Sequence, residues 1–457
     1  MLFSSLRNPV FARLYAAQTT SLLGDALTWV GLALLAFELA GEKSAIVLST
    51  AFTLRVTAFV LLSPLAGAIA DRFDRKRIMV ITHLARMLIV GLLPFVTAVW
   101  QIYVLIFALN IFNAFFTPTY KATIPLVTGE NDYSHAIALS SATYQLLAVL
   151  GPGLAGAVAA FIGARQVFFL DAFSFVVAAI LILTLPGQLR VNSSQQPNRT
   201  PGRTWQDIKE GTTRLFASAP IRYALAMQLV ASIVGAQILV NTVGYVQGTL
   251  KLGNAQYGWV MAAFGIGATL SAVVVGALDR RLRRTTFVLM GAIIITLALL
   301  PASKSGLALL MILWAIAGAG QTMVDLPTQT LIADRIPRDA QGRVYGAHFA
   351  WSHLWWAISY PLAGWLGSKF PEGEFLYGSL VGLALLVVVQ LTLKPSEDEY
   401  EHVHENMWHE HSHVHDEHHQ HNYHQGILES EPHAHPHQHK LMRHSHPYSV
   451  DIHHPTR

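Results

Sequence analysis

The chain has 457 residues, of which 53% are hydrophobic and only 13% charged, with a formal net charge of +4 at pH 7 and no cysteine. The charged share is about half that of ordinary globular domains, which excludes a water-soluble body over most of the length. Lack of thiols excludes disulfides, thiolate metal ligands and cysteine nucleophiles, and the slight positive balance comes from loops between apolar runs, so no nucleic-acid partner is expected.

From the N-terminus, MLFSSLRNPVFARLY lacks a short apolar core followed by a small-residue cleavage site, so the first spanning helix is expected to act as its own targeting signal. A helix needs about 20 mostly apolar residues to cross the hydrocarbon core of a membrane. Such runs fall at 14–39, 46–70, 78–98, 101–124, 136–161, 166–185, 222–246, 256–278, 286–302, 306–332, 344–367 and 375–393, which predicts an all-α membrane protein with twelve transmembrane helices.

Lys and Arg set the orientation. Arg72, Arg75, Lys76 and Arg77 follow the second run, Arg280, Arg281, Arg283 and Arg284 the eighth, and Arg335, Arg338 and Arg343 the tenth. The alternate loops hold at most one each: Lys43, Arg165, Lys251, Lys304 and Lys369. By the positive-inside rule the basic loops are cytoplasmic, and an even number of spans puts both termini there too. A polar linker at 187–219 divides the body into six-helix halves, 1–186 and 220–393. The halves echo each other: Gly67-Ala68-Ile69 and Gly276-Ala277-Leu278, like Thr117-Pro118-Thr119 and Leu326-Pro327-Thr328, are offset by the same 209 residues. Parallel repeats with a site between them near the midplane are the plan of one large class of transporters.

Beyond the last run, residues 394–457 carry all but four of the 22 histidines, the four being His83, His135, His348 and His353. Neutral imidazole suits nickel, zinc, cobalt and copper. Extended backbone turns residues i and i+2 to one face, so each His-x-His step can chelate an ion. Such steps occur at His402/His404, His409/His411/His413/His415, His433/His435/His437/His439 and His444/His446, with His418, His419 and His421 between them. A polar, Pro-containing segment of this kind is expected to be disordered without its ligand. The bland alternative is a passive metal buffer or a solubilising end.

Gly67-Ala-Ile-Ala-Asp71-Arg72-Phe-Asp-Arg75-Lys76-Arg77 resembles the loop motif of the major facilitator superfamily between its second and third spans, with Ile69 for Leu and Asp74 for the second Gly. The resemblance implies that these residues link helix ends and bias the inward/outward equilibrium. Gly151-Pro152-Gly153, with Gly156 beyond, resembles the Gly-Pro motif of the superfamily's antiporters, without its upstream glycines. The opening LRNPVFARLYAAQTTSLLGDALT and Phe169-Leu-Asp171-Ala-Phe-Ser-Phe175 are similar to the drug-efflux branch that includes macrolide and siderophore exporters. With the histidine tail, the chain resembles bacterial nickel-resistance permeases more narrowly. The resemblance implies a monomer in the bacterial inner membrane, with lipid, protons and a divalent metal as its partners.

Ionisable groups within spans are costly and mark cavities or partners. Asp25 lies about 18 Å along its helix from Arg13, near the midplane, and the resemblance places its span at the substrate path. It is a candidate proton or metal carboxylate, or an ion-pair partner of Arg55. Asp325 is expected near the cytoplasmic mouth as a gate or entry ligand, or as a contact of Arg335 or Arg338. Asp171 completes the coupling candidates, although a structural partner is the simpler use on a peripheral span. Arg86 and His83 are read as structural. Asn110, Asn113, Gln237, Asn241 and Gln321 could supply neutral ligands, though interhelical hydrogen bonding is the commoner use. His353 is preferred over His348 as a metal ligand, since five residues of helix put the two about 140° apart.

These readings imply proton-coupled export of a divalent metal, nickel first, with cobalt or zinc next, and no catalytic cofactor. Gly-x4-Gly-Lys-Ser/Thr is missing, so a gradient rather than ATP is the expected drive. The alternative is export of an organic drug or a metal chelate such as a siderophore. A membrane-tethered metal receptor is disfavoured by the acids within spans, and no nucleophile–base constellation points to an enzyme.

Overall fold

A computed structural model of the protein describes residues 2–187, 201–278, 282–336, 338–393, 399–404, 408–413, 433–438 and 442–447. Helix α1 is Pro9–Ala40, α2 Ser44–Arg72, α3 Arg75–Leu92, α4 Val99–Ile162, α5 Val167–Leu183 and α6 Pro201–Ala217. Then follow α7 Ala219–Val243, α8 Asn254–Leu278, α9 Arg284–Leu299, α10 Leu307–Arg335, α11 Arg338–Lys369 and α12 Glu374–Thr392. Among the described residues, eight helical segments are long and apolar enough to cross a membrane, or nine if the bent pair Gly153–Ile162 and Val167–Leu183 is one span. One of the eight, Pro9–Leu62, takes in both α1 and most of α2. Large apolar side chains such as Phe161 and Leu391 are exposed, as a lipid-facing surface requires.

Local chemistry sets the helix ends. Asn8 caps α1 by accepting from the Val10 and Phe11 N–H groups, with Pro9 at the first helical position. Its amide also donates to the Val127 carbonyl at 2.6 Å, tying the start of α1 to α4. Asp74 caps α3 by accepting from the Lys76 N–H. Helix α4 runs for 64 residues but folds back on itself. The Tyr120 and Ser140 hydroxyls lie 3.2 Å apart, whereas twenty residues of straight helix would separate them by about 30 Å. The runs 101–124 and 136–161 are therefore the two arms of one helical hairpin.

Small residues bring the helices close. A Cβ at Gly156 would strike the Gly258 backbone, and one at Gly153 would meet Ala262 at 2.7 Å, so the second arm of α4 lies against α8 almost backbone to backbone. Gly267 and Gly318 do the same between α8 and α10. Close approach of this kind supplies the packing that a lipid environment does not drive hydrophobically. Helix α2 packs on α11, and α7 on α11 and α12.

The polar linker is not wholly irregular, because its second half is α6. Glu210 bonds Arg343 of α11 at 2.8 Å, Gly211 admits the Arg343 backbone, and Phe216 meets Trp351 edge-on at 5.0 Å. The linker therefore docks on α11.

Pro395–Arg457 is a unit by itself. Where a disordered tail was expected, it contains strands β1 Glu399–His404, β2 Trp408–His413, β3 His433–Gln438 and β4 Met442–Pro447. They pair antiparallel as β1 with β4 and β2 with β3. The physical reason is that His-x-His repeats with the period of a strand, and pairing satisfies the backbone.

Gly156→Ala should lower the melting temperature in detergent, at a cost of about 1–3 kcal/mol for overpacking a closed helix contact. Gly346→Ala, where an added methyl meets nothing within 4 Å, should leave it unchanged; equal effects of the two would contradict the close packing of α4 on α8.

Candidate functional site

Arg86 on α3 is the centre of the first polar cluster. It is 1% exposed, and its Nη2 donates to both carboxylate oxygens of Asp25 on α1, at 2.7 and 2.9 Å. Its plane lies 4.0 Å from the Phe175 ring centre and 5.6 Å from that of Phe116, and Nη1 reaches the Ser21 hydroxyl at 3.4 Å. Asp171 on α5 is fully buried beside this pair. It accepts hydrogen bonds from the Thr28 and Ser174 hydroxyls, the latter at 3.1 Å, and lies within charge-interaction range of both Asp25 and Arg86. Gly24 makes this possible, since any side chain there would collide with Asp171 and Ser174. One carboxylate thus pairs with the guanidinium inside the helix bundle, and a second lies beside that pair, held by hydroxyls.

This revises the sequence reading in two respects. Asp25 pairs with Arg86, not with Arg55, whose guanidinium instead sits 4.4 Å over the Trp29 ring. Arg86, read as a peripheral structural residue, is the partner of the leading candidate. The available signal was a lone arginine within a span, which needs an acid. His83 fits the structural reading: it is buried between Phe116 and Phe175, at 4.5 and 5.8 Å.

The second cluster surrounds Asp325 on α10. Gln321 donates to one carboxylate oxygen at 2.8 Å and Gln228 of α7 to the other at 3.1 Å. Gln228 also bonds His348 Nε2 of α11 at 3.0 Å, so a chain of polar groups links three helices. Asp325 therefore meets amide donors from α7 and from its own helix. Gln228 was missed because a single Gln in an apolar run gives no signal of its partner.

Of the other neutral candidates, Asn110 donates to the Ile106 carbonyl of its own helix, and Asn241 to Gln237 Oε1 and the Ala363 carbonyl. These are internal bundle bonds. His353 stands apart from His348. Its Nδ1 bonds the Phe349 carbonyl at 2.7 Å, and its ring lies 3.8 Å from Phe349 and 6.1 Å from Phe59 of α2. Among the described residues no three His, Asp or Glu side chains gather as a metal site.

Near His353 a ladder of rings crosses from α1 through α2 to α11. Trp29 and Phe52 are 5.6 Å apart, Phe52 and Tyr360 4.9 Å, and Tyr360 and Trp356 5.3 Å. At the far ends of the helices, Arg75 donates to the Ala122 carbonyl of α4 and Lys76 to the Leu185 carbonyl after α5. These two motif residues thus join helix ends. The side chains of Gly67, Asp71, Arg72 and Pro152 lie outside the described residues, whereas Gly151 abuts Ala26 of α1. In the tail, His402, His404, His409, His411, His413, His433, His435, His437, His444 and His446 lie on strands. His415, His418, His419, His421 and His439 lie outside the described residues.

Residues 2–421 match the profile of a family described as transmembrane secretion effector. The uncharacterised MFS-type transporter YfiS of Bacillus subtilis is 30% identical over 73% of this chain and 81% of its own. The multidrug efflux pump Tap of Mycolicibacterium fortuitum is 25% identical over 84% and 95%. The enterobactin exporter EntS of Salmonella paratyphi A is 24% identical over 72% and 78%. Among solved structures, the nucleoside transporter NupG superposes with a TM-score of 0.64 at 13% identity, over 84% of this chain and 98% of its own.

Removing one partner of a buried ion pair leaves an uncompensated charge, at a cost of about 3–5 kcal/mol. Asp25→Asn and Arg86→Gln should each lower the melting temperature more than the double variant does. Additive losses would show the pair to be uncoupled.

Proposed function

Because the chain belongs to the transmembrane secretion effector family of the major facilitator superfamily, we propose that it is a secondary transporter exporting an organic compound, a drug or a metal chelate, in exchange for protons. It is not an enzyme. The ring ladder Trp29–Phe52–Tyr360–Trp356 carries the substrate half of this reading, because a run of tilted aromatic rings suits an organic molecule better than a bare ion. The names of Tap and EntS support it. The proposed frame is twelve spans, counting α1, α2, α3, the two arms of α4, α5 and α7 to α12. They form halves 1–186 and 220–393 joined by the linker 187–219, in the bacterial inner membrane with both termini cytoplasmic. The protein works as a monomer, and the halves rock about the contacts of α2 with α11 and α4 with α8.

Coupling rests on Asp171 and the Asp25–Arg86 pair that it lies beside. With Asp171 protonated, the cluster of Asp25, Arg86 and Asp171 is neutral, which is the form that hydrocarbon surroundings tolerate. Loss of that proton sets two carboxylates on one guanidinium and draws Arg86 between α1 and α5. Proton entry from outside reverses this. Asp325 and its amide partners form the corresponding polar point among α7, α10 and α11.

The histidine tail supports a second reading, export of nickel, with cobalt or zinc next. The strand register sets His409 opposite His437, His411 opposite His435 and His413 opposite His433, a pairing of imidazole-bearing positions that supports metal capture. On this reading the tail, covalently tethered to the last helix, raises the local metal concentration.

Everted vesicles offered a macrolide, a ferric catecholate chelate and nickel chloride separate the two readings. Uptake of either organic cargo, with substrate-induced proton release, is expected; uptake of nickel chloride alone would overturn the leading reading. Asp171→Asn should abolish the proton release while the protein still inserts. Removal of residues 394–457 should leave organic uptake intact and lower nickel bound per protein, measured by elemental analysis.

A further inference from the structure

Two cations inside the helix bundle have no carboxylate partner. Arg55 on α2 has the Trp29 ring as its neighbour, and among the described residues neither it nor Lys121, on the first arm of α4, forms an ion pair. Both lie close enough to His353 to act on its charge, and Arg55 also acts on Tyr360. Lys121 is exposed.

The nearby acids are already committed. Asp25 belongs to Arg86, Asp171 to its two hydroxyls, and Asp325 to two amides. His353 adds a directed ring: the Phe349 carbonyl can only accept, so Nδ1 carries the hydrogen, and Nε2 has no protein partner among the described residues. Along the helices, Lys121 lies one residue from Ala122, whose carbonyl is bound by Arg75 at the start of α3. Arg55 lies about 25 Å from the Arg72 end of α2. The cations are thus staged in depth, and the aromatic ladder begins at the inner one.

Unpaired cations within a membrane span are costly unless a counter-charge arrives, and among the described residues none meets Arg55 or Lys121. We propose that Arg55 and Lys121 form the binding site for an organic anion, a carboxylate or phenolate on an aromatic frame, with His353 Nε2 placed to accept from a hydroxyl of that frame, and that any metal is carried as its anionic chelate rather than as a bare cation. This deepens the export reading and rests on it. The anion neutralises Arg55 and Lys121 while its rings stack on the Trp29–Phe52 end of the ladder. A bare divalent cation is repelled by Arg55 and Lys121.

The test is an equilibrium one, independent of any gradient. Full-length protein in phosphatidylcholine nanodiscs, which carry no net lipid charge, is titrated with salicylate, with neutral salicylamide and with tetraphenylphosphonium, reading tryptophan fluorescence. Salicylate should bind about tenfold or more tighter than salicylamide, a modest share of the attraction available to a half-buried charge pair. Arg55→Gln should erase that preference, Arg55→Lys should keep most of it, and Lys121→Gln should weaken it in part. Should Arg55→Gln fail to fold, Lys121→Gln and the loss of preference in high salt decide. Equal binding of salicylate and salicylamide, no saturable salicylate signal, or a preference that survives both neutralising variants would overturn the proposal. If vesicles still export a macrolide in that case, the anion site alone has failed and the export reading stands.

Discussion

The burial of Arg86 is the constraint on which the first half of the sequence depends. A guanidinium cannot shed its charge, so a position 1% exposed within a lipid-embedded bundle must be compensated by acids. Asp25 meets it from α1 and Asp171 lies beside it on α5. Those demands fix much else: Gly24 must be bare, Thr28 and Ser174 must supply hydroxyls, and Phe116 and Phe175 must wall the cation. The same economy makes the cluster responsive. On the proposed coupling, one proton on Asp171 decides whether the cluster is neutral or carries a net negative charge.

The packing of α4 on α8 and of α2 on α11 has a different character. The first of these uses Gly153, Gly156, Gly258 and Ala262 rather than charge, so two backbones meet with little between them. Such a contact is dry and close, and no polar bond has to be broken for it to pivot. The rings of Trp29, Phe52, Tyr360 and Trp356, with the proposed anion-binding Arg55 and Lys121, are chemically unlike the acid cluster around Arg86. A proton site and a substrate site built from separate residues can be coupled through helix position, without both ligands competing for one carboxylate.

The histidine tail is chemically independent of the body and obeys strand rules. Its alternation is the period of an extended chain, and the register aligns histidine with histidine in three successive alternate pairs of β2 and β3. On the proposed readings, metal capture by imidazole can coexist with a translocation path that has another preference. An anionic chelate is one cargo that both parts could serve.

The sequence alone determined the apolar runs, the asymmetry of Lys and Arg between loops, the family motifs and the strand-like step of the tail. It also singled out Asp25, Asp171 and Asp325, because an acid within an apolar run stands out wherever it packs. Tertiary structure decided what each acid meets. Arg86 is 61 residues from Asp25, Gln228 is 97 from Asp325, and α4 doubles back within an unbroken helix. Such partners follow from which helix lies against which. Periodicity along one chain records only which face of a helix is apolar, and in a membrane almost every face is. The charges could therefore be found from the sequence, while their pairing, and the two cations that no acid among the described residues meets, could be found only in three dimensions.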